Sequence, residues 1–196
     1  MSFDVMFEGK MYAHFDLPFV GHHLLLNSLA VIGICILEGV DPQLIEEGLS
    51  SFKGVKRRFA VEVHKDSIFV DDYAHHPTEV GVTIDTARKR FPDRKLIAIF
   101  KPHRASRVLY FADAFAQQLS KADEVYLCEF TSIDDKQDGT DIDITYLADR
   151  IKGSHILSED IVGARQLASQ APACYLFMSS KDIYGLAEMV KQQIDA

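Results

Sequence analysis

The sequence has no tryptophan, few cysteines and no hydrophobic run long enough to cross a membrane. Its three cysteines, Cys35, Cys128 and Cys174, are widely spaced and lie in apolar segments. This arrangement argues against a disulfide framework or a zinc site and favours reduced, buried thiols. Residues 1–8 also lack the basic and apolar segments of an export signal. We therefore expect a cytoplasmic protein without a membrane anchor.

Basic residues are in the minority. The 21 lysines and arginines are outnumbered by 29 aspartates and glutamates, which gives a net charge of -8. A general nucleic-acid binder needs a broad basic surface, so we expect no nucleic-acid partner, and any anion site must be local. With 47% hydrophobic and 26% charged residues, the composition is that of a soluble globular protein.

Several motifs of nucleotide and acyl chemistry are absent as well. The sequence contains neither the phosphate-binding loop G-x-x-x-x-G-K-[ST] nor the dinucleotide fingerprint G-x-G-x-x-G, and it has no serine nucleophile elbow. The chain therefore provides no primary cradle for a triphosphate.

What the sequence does contain, after residue 53, is a regular alternation of strand and helix patterns. The predicted strands are 61–64, 67–71, 96–100, 124–128, 154–157 and 173–178. The predicted helices are 77–91, 106–119, 144–151, 161–169 and 183–194. Right-handed crossovers then give a mostly parallel sheet with helices on both faces. We predict an α/β fold, a doubly wound, Rossmann-like domain over residues 54–196.

Residues 1–53 are predicted to be a separate segment. A hairpin is expected within 3–15, a helix over 22–37 and a second helix from Pro42. The basic connector 52–59 follows and marks the predicted domain boundary. Within the second domain, the polar stretch 134–139 is predicted to be a flexible loop.

Ligands of open parallel sheets bind beyond the carboxyl ends of the strands. Three polar loops follow predicted strands here: Asp-Asp-Tyr-Ala-His-His-Pro-Thr-Glu at 71–79, Lys-Pro-His-Arg-Ala-Ser-Arg at 101–107 and Ser-Ser-Lys-Asp at 179–182. If the strands are parallel, these loops share one edge of the sheet.

The second loop suggests an anion site. Arg104 and Arg107 are three residues apart at the start of a helix, where both can grip one carboxylate or phosphate. The alternative is a solvated pair of arginines joined to surface acids. The connector holds a second group of cations, Lys53, Lys56, Arg57 and Arg58, which either reach a phosphate or only keep the linker soluble.

The first loop allows more than one interpretation. Its aspartates can hold backbone groups while a histidine caps the following helix. Asp71, Asp72, His75 and His103 could instead ligate a metal, but neighbouring strand residues point to opposite faces, so both aspartates cannot reach one ion without distortion. A metal-dependent phosphoesterase that uses Asp71, His75, His103 and His76 therefore remains an alternative.

Four motifs in order resemble one known family. They are Gly-His-His-Leu-Leu-Leu-Asn at 21–27, Val-Lys-Arg-Arg-Phe at 55–59, the loop 71–79 and the segment 100–107. Together they are similar to the UDP-N-acetylmuramate:L-alanine ligases of the Mur ligase family. The resemblance runs over essentially the whole chain.

This resemblance implies an ATP-dependent ligase of peptidoglycan synthesis that activates the muramate carboxyl group as an acyl phosphate. Residues 1–53 would be the end of the central ATP-binding domain, and residues 54–196 the C-terminal domain that binds the amino acid and closes over ATP. The phosphate loop, the Mg²⁺ site and the UDP-N-acetylmuramate site would lie upstream. We therefore expect this chain alone to be inactive, with no catalytic residue and no metal site of its own.

The resemblance also implies roles for residues of the amino-acid pocket. Arg104 and Arg107 would bind the carboxylate of L-alanine. Tyr73, His75 and His103 would shape the pocket around its small side chain.

ATP would contact other positions. His23 and Asn27 would lie against the adenine, Arg58 would reach the phosphates, and Asp72 would lie near the ribose.

The chain departs from the family pattern at a few positions. Leu24 stands in place of asparagine, Lys101 of glutamine and Val108 of threonine, and Ser-Ser-Lys-Asp at 179–182 replaces Gly-Ala-Gly-Asp. The murein-peptide ligases of cell-wall recycling carry a similar Asp-Asp-Ala-His-His motif, so a peptide acceptor is a further alternative.

Overall fold

A computed structural model describes residues 1–18, 21–52, 56–131 and 139–196, without the side chains of His22 and His23. The chain divides into two compact units, Met1–Gly54 and Val55–Ala196. The boundary predicted near residue 53 falls outside the described residues, as does most of the predicted loop 134–139. No helix in the described part of the chain is long and apolar enough to span a membrane.

The first unit is a hairpin with two helices. Strands β1 (Ser2–Phe7) and β2 (Lys10–Asp16) pair antiparallel, as the sequence predicts. Their turn contains Glu8 and Gly9, both at positive φ (49° and 75°), which suits the twist of a tight hairpin. Helices α1 (His22–Leu37) and α2 (Pro42–Ser51) follow.

The core of this unit is small. Its buried apolar residues are Val5, Phe15, Leu17, Ile32 and Ile45. By contrast, α1 exposes large apolar side chains along one stripe: Leu26 is 53% exposed, Ile34 64% and Leu37 77%. We call this surface the α1 stripe. A helix in water normally keeps only one apolar face and buries it, so this second apolar surface is unusual.

The second unit contains a six-stranded sheet. Its strands are β3 (Ala60–His64), β4 (Ser67–Asp72), β5 (Leu96–Phe100), β6 (Glu124–Cys128), β7 (His155–Leu157) and β8 (Cys174–Met178). Its helices are α3 (Pro77–Arg90), α4 (Ala105–Leu119), α5 (Thr145–Ala148), α6 (Ile161–Ala168) and α7 (Tyr184–Asp195). The order is β3-β4-β8-β5-β6-β7, and only β3 runs antiparallel to its neighbour. The predicted α/β fold with a mostly parallel sheet is confirmed.

Helices cover both faces of this sheet. On one face, residues such as Val70 and Leu176 pack against α3, α4 and α5. On the other, Phe69, Tyr175 and Phe177 pack against α6 and α7. Because alternate residues of the same strand enter the two cores, the two strands in the middle of the sheet, β8 and β5, are apolar throughout.

The cysteines are free in the described structure. Cys128 and Cys174 are buried in the sheet, as predicted, whereas Cys35 on α1 is only half-buried. Burial raises the pKa of Cys174 to about 12 and raises the pKa of Cys128 even further. Both thiols are therefore protonated and unreactive at neutral pH.

The strand register aligns the predicted crevice. Met178 at the end of β8 pairs with Asp72 of β4 on one side and with Phe100 of β5 on the other. The three loops that follow these strands therefore begin side by side at one edge of the sheet. The order places the loop after β8 between the other two.

Candidate functional site

The two predicted clamp arginines lie at the start of α4. Arg104 is the residue before the first helical turn and is exposed, and Arg107 lies within that turn and is half-buried. Arg107 Nη1 donates to the carbonyl of His103 at 3.2 Å. The unpaired amides of a helix start add to the positive potential of the arginines. The structure therefore places both predicted arginines at one helix N-terminus, a type of position that favours anions.

Arg104 has a strained backbone. Its φ is 65° and its ψ 125°, in a region that residues with a side chain rarely adopt. Such outliers cluster where function requires a fixed direction of a side chain.

The loop after β4 is organised by a capping box. His76 Nδ1 accepts the backbone N–H of Thr78 at 3.3 Å, so His76 caps α3. In return, Glu79 Oε2 accepts the backbone N–H groups of His75 and His76 at 3.0 and 3.1 Å. The expectation that one histidine caps this helix is confirmed for His76.

Burial by itself would raise the pKa of Glu79. The backbone N–H donors of His75 and His76, with electrostatic attraction from His75 and Arg58, outweigh this effect of burial, and the pKa of Glu79 lies below its ordinary value of 4.5. Glu79 is therefore ionised at neutral pH and holds the loop by charge-assisted hydrogen bonds.

The two adjacent histidines have opposite tautomers when neutral. His75 Nδ1 lies 2.9 Å from the carbonyl oxygen of Tyr73 and must donate to it, which leaves Nε2 as an acceptor. His76 Nδ1 accepts a hydrogen bond, so its proton is on Nε2. The loop therefore offers one imidazole acceptor and one imidazole donor.

The two aspartates at the end of β4 have different partners. Asp72 is 8% exposed, and its oxygens accept the N–H groups of Phe59 and Ala74, each at 2.8 Å. Burial raises the pKa of Asp72, and these two donors oppose the rise. Asp71 lies 3.5 Å from Arg57, and burial raises its pKa against the effect of that arginine. Asp72, which we expect near the ribose, also accepts backbone donors that join the connector to the loop.

Two arginines of the connector lie near the ring of Tyr73. Arg57 and Arg58 each lie 5.3 Å from its centroid, a distance at which cations are attracted to an aromatic face. Arg57 also donates to the carbonyls of Ser179 and Lys181. Arg58 is 53% exposed and lies 3.8 Å from Glu79, so its charge faces solvent.

Sequence reasoning did not predict that Arg57 and Lys101 hold the loop after β8. Lys101 Nζ pairs with Glu159 at 2.6 Å and donates to the carbonyl of Asp182 at 3.1 Å. The residues that Arg57 and Lys101 contact are distant in sequence. The sequence pointed to Arg57 only as part of the cationic connector, and to Lys101 only as a departure from the glutamine of the family pattern.

The remaining predicted residues lie in different places. His103 is half-buried in the loop before α4, beside Arg104. Asn27 is exposed on α1, in the first unit. The side chain of His23 lies outside the described residues.

The donor set does not fit a metal centre. Across residues 1–18, 21–52, 56–131 and 139–196, no three histidines, cysteines or carboxylates form a possible ligand group. Asp71 and Asp72 turn to separate partners, as strand alternation requires. The phosphoesterase alternative is therefore not favoured.

Comparison with known proteins agrees with the fold. The family model described as Mur ligase, glutamate ligase domain matches residues 57–180. Among solved structures, the chain is similar to the UDP-N-acetylmuramate-alanine ligase MurC of Thermotoga maritima, with 29% identity and a TM-score of 0.70 over 95% of this chain and 41% of that one.

Two further structures share the fold. The murein peptide ligase of Psychrobacter arcticus is 24% identical, with a TM-score of 0.72 over 93% of this chain and 39% of that one. MurF of Thermotoga maritima, solved in complex with ADP, is 23% identical, with a TM-score of 0.70 over 95% of this chain and 42% of that one.

The chain spans about two fifths of the length of these three proteins. The matched family region lies within the second unit and covers more than half of the whole chain. This chain therefore belongs to the Mur ligase family, through its glutamate ligase domain.

Proposed function

We propose that this chain is the amino-acid-binding part of an ATP-dependent ligase that joins L-alanine to UDP-N-acetylmuramate. The observation that carries the proposal is the placement of Arg104 and Arg107 at the start of α4. Two guanidinium groups at a helix N-terminus suit a carboxylate, which they can hold by paired, charge-assisted hydrogen bonds. The 29% identity to a MurC enzyme supports alanine as the amino acid.

In the proposed reaction, ATP phosphorylates the muramate carboxyl group and the alanine amine attacks the resulting acyl phosphate. An amide bond forms and inorganic phosphate leaves. The residues of this chain would act by holding the amino acid and by favourable electrostatics, without a covalent protein nucleophile. Tyr73, His75 and His103 would line the pocket, and the acceptor nitrogen of His75 suits the amine.

ATP contacts are a further part of the proposal. The exposed charge of Arg58 suits a nucleotide phosphate, and His23 and Asn27 are proposed at the adenine. Asp72 is proposed near the ribose, and its oxygens also accept the backbone donors that hold the connector. Since the described residues offer no group of metal ligands, the Mg²⁺ that such a ligase requires would be held elsewhere.

We also propose that residues 1–53 are the end of an ATP-binding domain. The α1 stripe supports this, because a unit with so small a core is not expected to leave Leu26, Ile34 and Leu37 in water. More of the same domain would cover the stripe.

The clamp can be tested on this chain by titration with L-alanine, followed by NMR or calorimetry. Replacing Arg104 with alanine removes a charge-assisted contact worth about 1.5–3 kcal/mol, so the Kd is expected to rise about 10- to 100-fold. Arg165→Ala, an exposed arginine on α6, is the matched control and should leave the Kd unchanged. An unchanged Kd for Arg104→Ala would contradict the proposal that Arg104 binds the carboxylate of L-alanine.

The acceptor can be tested in a longer protein that includes this chain and an ATP-binding part. We expect ATP-dependent ligation of L-alanine to UDP-N-acetylmuramate, and none by the 196-residue chain alone. Turnover with a murein tripeptide but not with L-alanine would contradict the proposal in favour of a murein-peptide ligase.

A further inference from the structure

The loop between β8 and α7, residues 179–182, is here called the central turn. It follows the strand that lies between β4 and β5. On one side is the loop that carries Tyr73 and His75, and on the other is the loop that carries Arg104. A side chain on the central turn is thus placed to contact a ligand held by either neighbour.

Arg57 ties the central turn to the connector. Its Nη2 donates to the carbonyl oxygens of Ser179 and Lys181, at 2.6 and 2.7 Å. The same guanidinium lies near Asp71 and over the ring of Tyr73. Because charge-assisted hydrogen bonds are short and directional, Arg57 fixes the carbonyl groups of the turn toward the protein.

Lys101 holds the turn from the opposite side. Its Nζ donates to the carbonyl of Asp182 at 3.1 Å, and Glu159 neutralises its charge at 2.6 Å. The Lys101 side chain is 12% exposed, so this ion pair is largely shielded from solvent. The hydroxyl of Ser179 donates in turn to the Lys101 carbonyl at 2.8 Å.

These contacts connect two departures from the family pattern. Lys101 replaces a glutamine, and Ser-Ser-Lys-Asp replaces Gly-Ala-Gly-Asp, and the two segments bond to each other. The turn therefore has side chains where the pattern has glycine, and the surrounding residues hold it in place. Its third residue, Lys181, is half-buried, and its backbone N–H donates to the hydroxyl oxygen of Ser179.

The chemistry of the turn suits an anion. Lys181 adds a positive charge to the edge that already carries Arg104 and Arg107. Beside it, the buried hydroxyl oxygen of Ser180 has no hydrogen-bond partner among the described residues. An ammonium group and a hydroxyl donor together can bind a carboxylate or phosphate oxygen.

We propose that the central turn binds a second anionic group of the ligand through Lys181, with Arg57 and Lys101 as the residues that position the turn. The inference rests on the proposed function, because it takes the first carboxylate to lie at Arg104 and Arg107. L-Alanine has only one carboxylate. The second anionic group therefore belongs either to a phosphate or to an acceptor with a second carboxylate.

The test measures the Kd of three probes for the 196-residue chain: L-alanine, L-glutamate and inorganic pyrophosphate. Lys181→Gln is expected to weaken L-glutamate or pyrophosphate binding about tenfold, and L-alanine binding less than about twofold. A loss confined to L-glutamate identifies an acceptor carboxylate, and a loss with pyrophosphate identifies a phosphate. Lys152→Gln, at an exposed lysine after α5, is the matched control and should change none of the three.

The positioning role of Arg57 is tested by a double-mutant cycle. Arg57→Lys keeps the charge but not the planar guanidinium, whose Nη2 donates to two carbonyl oxygens. If Arg57 acts through Lys181, the double variant binds the responsive probe no more weakly than Lys181→Gln alone, whereas independent effects would add.

Three results would overturn the inference: equal Kd values for Lys181→Gln and the unaltered chain with both larger probes, no measurable binding of either probe, or an equal loss in Lys152→Gln. Any of them can occur while Arg104→Ala still weakens L-alanine binding, so failure of this inference is distinguishable from failure of the clamp.

Discussion

Arg104 combines a long cationic side chain with a backbone conformation that glycine adopts far more readily, at φ 65°. Glycine would relieve the local strain, but it would remove the guanidinium from the crevice. Retention of arginine at a strained position is expected where the side chain has a function. The strain therefore supports the clamp independently of the resemblance to the ligase family.

Stability measurements can detect this strain. We expect Arg104→Gly to have a free energy of unfolding about 1 kcal/mol higher than Arg104→Ala, because both lose the guanidinium and only glycine tolerates the positive φ. At Arg107, inside the helix, the order should reverse, with glycine about 0.5–1 kcal/mol less stable than alanine. Urea unfolding of the four variants measures both differences. If alanine and glycine variants rank in the same order of stability at positions 104 and 107, the backbone of Arg104 is not strained.

Sequence reasoning was informative for some of these side chains and not for others. Arg104 and Arg107 were found because one helix start brings neighbours in sequence together. The structure also brings together Arg57 with Ser179 and Lys101 with Glu159, and these pairs depend on which strands are adjacent. Strand order cannot be read from local pattern, so the network around the central turn was not predicted.

Helix α6 shows how a small residue sets the start of an element. Asp160 caps it by accepting the N–H groups of Val162 and Gly163, at 2.8 and 3.1 Å. The chain before it folds back so closely that a side chain on Gly163 would overlap the carbonyl oxygen of Ser158. Glycine is required here for steric reasons and not for its backbone conformation, because its φ is ordinary for a helix.

Alanine substitutions can distinguish the effect of steric crowding on stability from the effect of helix propensity. Gly163→Ala is expected to lower the free energy of unfolding by about 2 kcal/mol or more, because the backbone carbonyl of Ser158 must move. Gly185→Ala in α7, where nothing lies within contact distance of a new methyl group, should be neutral or raise it by up to about 1 kcal/mol. Thermal or urea unfolding compares the two. Equal effects would mean that crowding at Gly163 is absent.

The elements themselves were largely predictable. The sequence pattern predicted β5 and β6 with the observed bounds, because β5 is apolar throughout and β6 is apolar after Glu124, and a polar residue follows each strand. The helix predicted over 144–151 is shorter, Thr145–Ala148, since turns follow it. The kink of α4 at Phe111, with φ -120°, left no signal in the sequence, which has neither proline nor glycine there.

The two units of the chain differ in how much apolar surface they bury. The second unit has a core on each face of its sheet. Among its described residues, the first unit buries five apolar side chains and leaves the α1 stripe in solvent. Because burial of apolar surface is the main favourable term in folding, the first unit should be the less stable.

Amide hydrogen exchange followed by mass spectrometry can compare the units within one sample. We expect the amides of α1 and of β2 to exchange at least about tenfold faster than those of β5 and β8, since local opening of a small core costs less free energy. Covering the stripe with the rest of an ATP-binding domain should slow exchange in α1 and leave β5 unchanged. Equal protection of both units in the present chain would contradict this account.

The place of β8 in the sheet has a consequence for how the protein is made. Among the described strands, β8 is the last to be synthesised, yet it fills the gap between β4 and β5. Until it emerges from the ribosome, the facing edges of those two strands have no partner, and such exposed edges promote aggregation. Nascent chains that stop before β8 would also lack the central turn. The fold thus ties completion of the crevice to the synthesis of the last described strand of the sheet.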